Sequence, residues 1–180
     1  MKKLALFVAV TLLCGCHTFM QMKPNYAKMP ADSVRAVAAE VEAAIRDGNR
    51  EPQIADRDGI VVNTDEVKQA IRTRAIRYEL IKAFLETGHA AELNNGLVNV
   101  LRSREYKKFG TSRDRSRTAL LITSENGDRW AMYEGILKAS NFPGKSLSAI
   151  QSIFYEERLK LLPAGLKYEN ESGDIVVKGE

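Results

Sequence analysis

Glu125, Asn126, Asp128, Arg129 and Tyr133 lie within one short stretch, SENGDRWAMYEG. Two carboxylates, a carboxamide, a guanidinium and a phenol could stage acid–base chemistry, lock two elements together or face a partner. Glycoside hydrolysis needs two carboxyl groups about 5 to 9.5 Å apart on either side of a cleft. Glu125 with Asp128 or Glu134 would instead sit on one helix and project the same way, with no histidine nearby to act as base. Glu125 precedes Arg129 by four residues, the order that favours an ion pair worth about 0.3–0.5 kcal/mol on a helix surface. No catalytic residue is expected here. The cluster Glu125, Asn126, Arg129 and Tyr133 reads as a structural lock in which Arg129 and Asn126 bind backbone groups of the turn at 88–101. A partner-binding face is the alternative, and hydrolysis through Glu125 or Asp128 the rival.

The second reactive position is Cys16. Lys2 and Lys3 precede an apolar run from Leu4 to Leu13, and the run ends in Leu13-Cys14-Gly15-Cys16. A helix needs about 20 apolar residues to span a bilayer, so this run is too short to stay as an anchor. It reads as a leader, residues 1–15, that is removed. The LCGC motif resembles the bacterial lipobox, whose cysteine is acylated and becomes the first residue of the mature chain. Each buried CH₂ of an acyl group contributes about 0.8 kcal/mol, and several chains hold a protein stably on a membrane. Cys14 would leave with the leader and Cys16 would carry lipid, so no thiol remains for a disulfide, a nucleophile or a metal. His17, rather than an aspartate, follows Cys16, and the expected address is the periplasmic face of the outer membrane.

Removing Lys2 and Lys3 lowers the formal net charge from +4 to +2, too small a bias to argue for nucleic acid. No cofactor is expected. His89 is the one histidine beyond the tether, and a lone histidine makes no zinc site; at a helix end it suits the macrodipole. Residues 16–31 read as a lipidated tether, and its fifteen residues after the cysteine span at most about 50 Å. An N-terminal helix and loop occupy 32–62, with Val34, Val37, Ala38, Val41, Ala44 and Ile45 at helical spacing and Gly48 closing the helix. A helical domain follows over 63–180. Its first helix is expected from an Asn63 cap, with Glu66 completing a capping box, to about Thr87. Its apolar stripe is Val67, Ala70, Ile71, Ala75, Tyr78, Ile81 and Leu85.

Asn94-Asn95-Gly96 marks a turn, with an extended stretch from Leu97 to Leu101. A third helix is expected from Thr118 to Ser140, weakened by about 1 kcal/mol at Gly127, where it bends or restarts. A fourth runs from a Ser146 cap to Leu162, and two short strands flank Asn170 to Gly173. The fold class is mainly α: a small domain of about four helices with a short C-terminal β-hairpin. Trp130 and Phe154 read as core. Between the second and third helices, RSREYKKFGTSRDRSR at 102–117 carries seven basic residues against Glu105 and Asp114. Lys107, Lys108, Arg113 and Arg115 are candidate contacts to an anionic membrane surface, where a basic residue contributes about 1 kcal/mol. A solvated surface loop is the other reading.

Four stretches in order, TGHAAELNNGLVNV (87–100), SENGDRWAMYEGILKASN (124–141), LSAIQSIFYEERLKLLPAGLKYE (147–169) and SGDIVVK (172–178), resemble the YdbL-like family of small periplasmic proteins. Glu125, Asn126, Arg129, Tyr133, Ala164 and Gly165 fall on its motif positions. Ala91-Glu92 replaces the usual Gly-Glu, Val98 stands where an aromatic is common, and the helix before residue 63 lies outside the match. The resemblance implies no catalytic residues. It implies association with an AsmA-like envelope bridge and its lipoprotein partner, a system tied to lipid transfer between membranes.

Overall fold

The computed structural model describes residues 29–179. Cys16, the leader and most of the tether lie outside the described residues. The first helix, α1 (Ala31–Arg46), buries Val34, Val37, Ala38, Val41 and Ile45, and removing such side chains from water contributes about 1.5–3 kcal/mol for each large one. Helix α2 (Asp65–Glu86) begins one residue later than the sequence suggests. Thr64 is its cap, Oγ1 accepting from Val67 N–H at 3.3 Å. Asn63 is diverted: its Nδ2 donates to Ile54 O at 2.9 Å and to Asp56 Oδ1 at 3.0 Å, pinning the preceding loop.

Strands β1 (Ala90–Glu92) and β2 (Val98–Val100) flank the Asn94-Asn95-Gly96 turn, and Ala90 pairs with Val100. Short helix α3 (Arg104–Lys108) leads into α4 (Ser112–Ala139). A 3-10 turn (Gly144–Ser146) precedes α5 (Leu147–Leu161), and β3 (Lys167–Glu169) and β4 (Ile175–Val177) end the chain. The expected C-terminal hairpin, β3–β4, is half of a four-stranded mixed sheet ordered β2-β1-β3-β4. Its centre is a parallel pairing of β1 with β3 at Glu92 and Tyr168. Mainly α holds; the sheet joins two distant hairpins, a pairing that short local patterns do not report.

One further expected helix start is corrected. Helix α4 opens at Ser112, six residues before Thr118, on a Thr111/Asp114 capping box. Its first turn contains no apolar residue, so hydrophobic periodicity misses it. It then runs unbroken through Gly127. Ser146 is the cap position of α5, as expected, although it also ends the 3-10 turn and makes no side-chain cap bond. The C-terminal tail is tied down separately, Lys178 Nζ donating to Leu162 O at 2.6 Å and to Lys160 O at 3.3 Å beyond the end of α5.

The helices enclose two apolar clusters. The larger joins Val34, Val37 and Val41 of α1 with Val67 and Ile71 of α2, Met132 and Ile136 of α4, and Ile150, Ile153 and Phe154 of α5. α1 is therefore integral to the core of the 63–180 helices. The smaller gathers Ile81, Phe84 and Leu85 with Val98, Tyr106, Ile122, Leu162 and Leu166. His89 belongs to its aromatic edge, its ring 4.7 Å from that of Phe109. Phe154 is core as expected, whereas Trp130 is 39% exposed on α4.

Two glycines of α4 should respond oppositely to alanine. A Cβ at Gly135 would meet Val67 Cγ2 at 2.7 Å, whereas one at Gly127 meets nothing within 4 Å. Gly127→Ala should gain up to about 1 kcal/mol of helix propensity. Gly135→Ala should lose about 1–2 kcal/mol net, because overpacking against a stiff β-branched side chain outweighs that gain. Chemical denaturation of both variants checks the pair of signs.

Candidate functional site

Between the two apolar clusters each of the four long helices, α1, α2, α4 and α5, places charge on its inward face. Glu42 follows Val41 on α1, Arg74 lies between Ile71 and Ile81 on α2, Glu125 and Arg129 lie between Ile122 and Met132 on α4, and Arg158 follows Phe154 on α5. Glu92 of β1 joins them, and all six are buried. Three guanidinium groups and three carboxylates thus form a layer of zero formal charge across the middle of the fold.

The pairing is dense. Arg74 donates from Nη1 and Nη2 to the two oxygens of Glu42 at 3.1 and 3.0 Å, and from Nε to Glu125 Oε1 at 2.9 Å. Arg129 grips both oxygens of Glu92 at 2.7 and 2.9 Å and donates from Nε to Glu125 Oε1 at 2.8 Å. Arg158 closes the ring, reaching Glu42 Oε1 at 3.1 Å and Glu92 Oε2 at 3.0 Å. Toward the surface Arg77 bridges Glu125 Oε2 at 3.0 Å and Asp128 Oδ2 at 2.6 Å.

The layer also holds the β1–β2 turn. Gly96 O accepts from Tyr133 Oη at 2.9 Å, Arg158 Nη1 at 3.2 Å and Arg129 Nη1 at 3.3 Å, while Tyr133 Oη accepts from Arg158 Nη2 at 2.7 Å. Gly96 has φ +82°, and a Cβ there would come within 3.1 Å of Tyr133 Oη and 3.2 Å of Gln151 O, so only glycine fits. Asn126 acts as a strand partner for β2: its Oδ1 accepts from Val98 N–H at 3.0 Å and its Nδ2 donates to Val98 O at 2.8 Å. An edge strand is thereby covered by one side chain.

Taking a charge out of water costs several kcal/mol even after relaxation, and only good geometry with complete hydrogen bonding offsets it. Among the described residues no buried side-chain polar atom lacks a partner. Burial alone would raise the carboxyl of Glu42, but Arg158 and Arg74 outweigh it and hold the group at about 2. Glu125, raised by burial and lowered by Arg74 and Arg129, is likewise brought to about 2. Glu92 is held low by Arg129 and Arg158 against its own burial.

Glu125, Arg129 and Tyr133 therefore sit in one interior network, with Asn126 beside it and Asp128 at its outer edge. Arg74, Glu42, Glu92 and Arg158 were not singled out from the sequence. The signal was present: each helical member interrupts an apolar stripe at a core position. Arg129 and Glu125 are also more than a surface i,i+4 pair, since both are buried. In the basic segment Lys107, Lys108 and Arg113 are exposed. Arg115 instead turns back, Nη1 donating to Phe109 O at 3.1 Å and Gly110 O at 3.0 Å. The segment is α3 and the first turns of α4 rather than a loop.

A small cleft of about 40 Å³ lies over the layer; Ile45, Ile81, Leu85, Leu161 and Leu166 are among its apolar walls. Among the described residues no group of three or more His, Cys, Asp or Glu is placed to hold a metal ion, and no helix is long and apolar enough to cross a membrane. Compared with protein-family models, curated proteins and solved structures, the chain finds no match.

Two measurements probe the layer. Carboxylates whose folded values lie below the ordinary 4.5 contribute stability that is complete above that value and is lost as pH falls through the folded one. Stability should stay level from pH 8 to about 5, decline below about 4.5 and collapse near pH 2, as followed by urea titrations at each pH. Arg129→Met should cost about 3–5 kcal/mol because Glu92 and Glu125 keep their charge with fewer partners. In a double-mutant cycle, Glu92→Met should then add less than its single-variant loss.

Proposed function

We propose that the protein is a lipid-anchored, non-enzymatic accessory protein of the bacterial envelope. It is held through Cys16 at the periplasmic face of the outer membrane, where it binds another envelope protein or assists its assembly. An AsmA-like intermembrane bridge is the partner implied by the likeness to YdbL-like proteins.

The observation that carries this reading is the state of the charged interior. A general acid works best with a value near the operating pH, and Glu125 is held at about 2 with both oxygens engaged. Asp128 is bound to Arg77. A hydrolase built on this pair would have to break the lock that organises the fold. A body whose buried charged groups are all engaged within the chain is suited to presenting surfaces.

The apolar walls of the cleft favour a second reading, a carrier that takes the tail of an amphiphile between α1, α2 and the end of α5. Lipid that co-purifies with the detergent-free body, released from an Ile81→Lys variant, would favour it.

The main reading predicts acyl groups on Cys16 by mass spectrometry and recovery of the chain in the outer-membrane fraction. A Cys16→Ser chain should leave that fraction. Pull-down from detergent-solubilised envelopes should retain a discrete protein partner. Release of soluble fragments from purified cell wall by the wild-type protein, lost on Asp128→Asn, would replace it with the enzymatic reading.

A further inference from the structure

The charge of the body is polarised. Residues 102–117 hold seven Lys and Arg against two acids, whereas the rest of the described chain holds sixteen against twenty. Elsewhere cations are mostly spent: Arg35, Arg46, Arg57, Arg72 and Arg77 each meet a carboxylate within 4.0 Å. Arg102, Arg104, Lys107, Lys108, Arg113 and Arg117 are exposed. Among the described residues none of the six joins a salt bridge, whereas eleven of the sixteen cations outside 102–117 do.

The elbow presenting them is stiff. Thr111 and Asp114 cap α4, Arg115 binds the carbonyls of Phe109 and Gly110, and Tyr106 packs on Phe84 beneath. Arg104, Lys107 and Lys108 lie on the side of α3 opposite Tyr106, and Arg113, Arg117 and Leu120 share the outer side of α4 opposite Ile122. Leu120 is 69% exposed, the most exposed large aliphatic of the described chain. Cations around one protruding aliphatic side chain fit an anionic interface with an apolar layer just beneath it.

We propose that the α3–α4 elbow is a docking surface for anionic phospholipid head groups, with Arg104, Lys107, Lys108, Arg113 and Arg117 on the phosphates and Leu120 entering the acyl boundary. Helices α1 and α2 run the same way, Glu42 meeting Arg74 and Arg46 interacting with Tyr78 one turn further along both, so Pro30 lies about 30 Å along the bundle from Phe84 and the elbow at 1.5 Å per residue. A tether reaching at most about 50 Å lets the elbow touch the leaflet that holds the lipid, laying the body along it. Only this orientation rests on the Cys16 anchor; the surface does not.

The test uses the unlipidated chain from His17 to Glu180, which keeps every described residue, and two vesicle populations, phosphatidylcholine alone and phosphatidylcholine with about one-third phosphatidylglycerol. Co-sedimentation should be about tenfold stronger on the anionic vesicles and fall toward the neutral level in high salt. Replacing Lys107, Lys108, Arg113 and Arg117 together by Gln should remove the difference, while Arg50→Gln/Lys145→Gln should not. Leu120→Ser should weaken anionic-vesicle binding severalfold and leave binding to soluble heparin unchanged. Equal partition on both vesicles, or a quadruple variant that binds as the wild type does, overturns the proposal. A Leu120→Ser chain with wild-type vesicle affinity leaves a polyanion site and overturns the assignment to lipid. Circular dichroism confirms that each variant is folded.

Discussion

Glu42, Arg74, Glu92, Glu125, Arg129 and Arg158 are removed from water together, and that arrangement constrains nearly every other choice in the fold. A buried ion is tolerated only when opposite charge and hydrogen-bond partners surround it. Each helix must therefore stop at the rotation and height that bring its charged side chain to the common level. Sliding any helix by one turn would carry a guanidinium or a carboxylate into the apolar clusters above or below. Hydrophobic packing alone is more forgiving, since cores tolerate exchange of similar volumes. The charged layer supplies the register that such packing leaves loose.

The layer also explains why a few strand residues matter so much. Glu92 enters the interior from β1 and is held by Arg129 and Arg158, and Gly96 O accepts three bonds from the helical side chains. The β1–β2 hairpin is thereby attached to α4 and α5 through the Glu92 carboxylate and the Gly96 carbonyl, and Asn126 adds two bonds from α4 to Val98. β3 then pairs with β1, and β4 with β3, so the sheet inherits its position from the helices. Three-residue strands would be marginal alone. Here they are anchored by side chains as well as paired by backbone.

One corner of the surface is organised on the opposite rule. In the interior charge is balanced to zero within a few ångströms, whereas at the α3–α4 elbow six exposed cations join no salt bridge among the described residues. The body is thus locked in register on the inside and cationic at one end.

Much of this was legible in the residues themselves. The apolar periodicities of 34–45 and 67–85 placed α1 and α2, since a half-buried helix must repeat its apolar residues at 3.6. Pro163 and Gly165 bounded α5, and Asn94-Asn95-Gly96 marked the hairpin. Glu125, Asn126, Arg129 and Tyr133 stood out as a unit because their spacing is local. The start of α4 at Ser112 was written in Thr111 and Asp114, though not in hydrophobicity. Tertiary structure alone decided that Glu42, Arg74, Glu92 and Arg158 belong with them, that Trp130 faces outward, and that two hairpins make one sheet. The reason is physical: periodicity reports which face of an element turns inward. The meeting of a glutamate at 42 with arginines at 74 and 158 is set by how separate elements stack, and no local spacing encodes it.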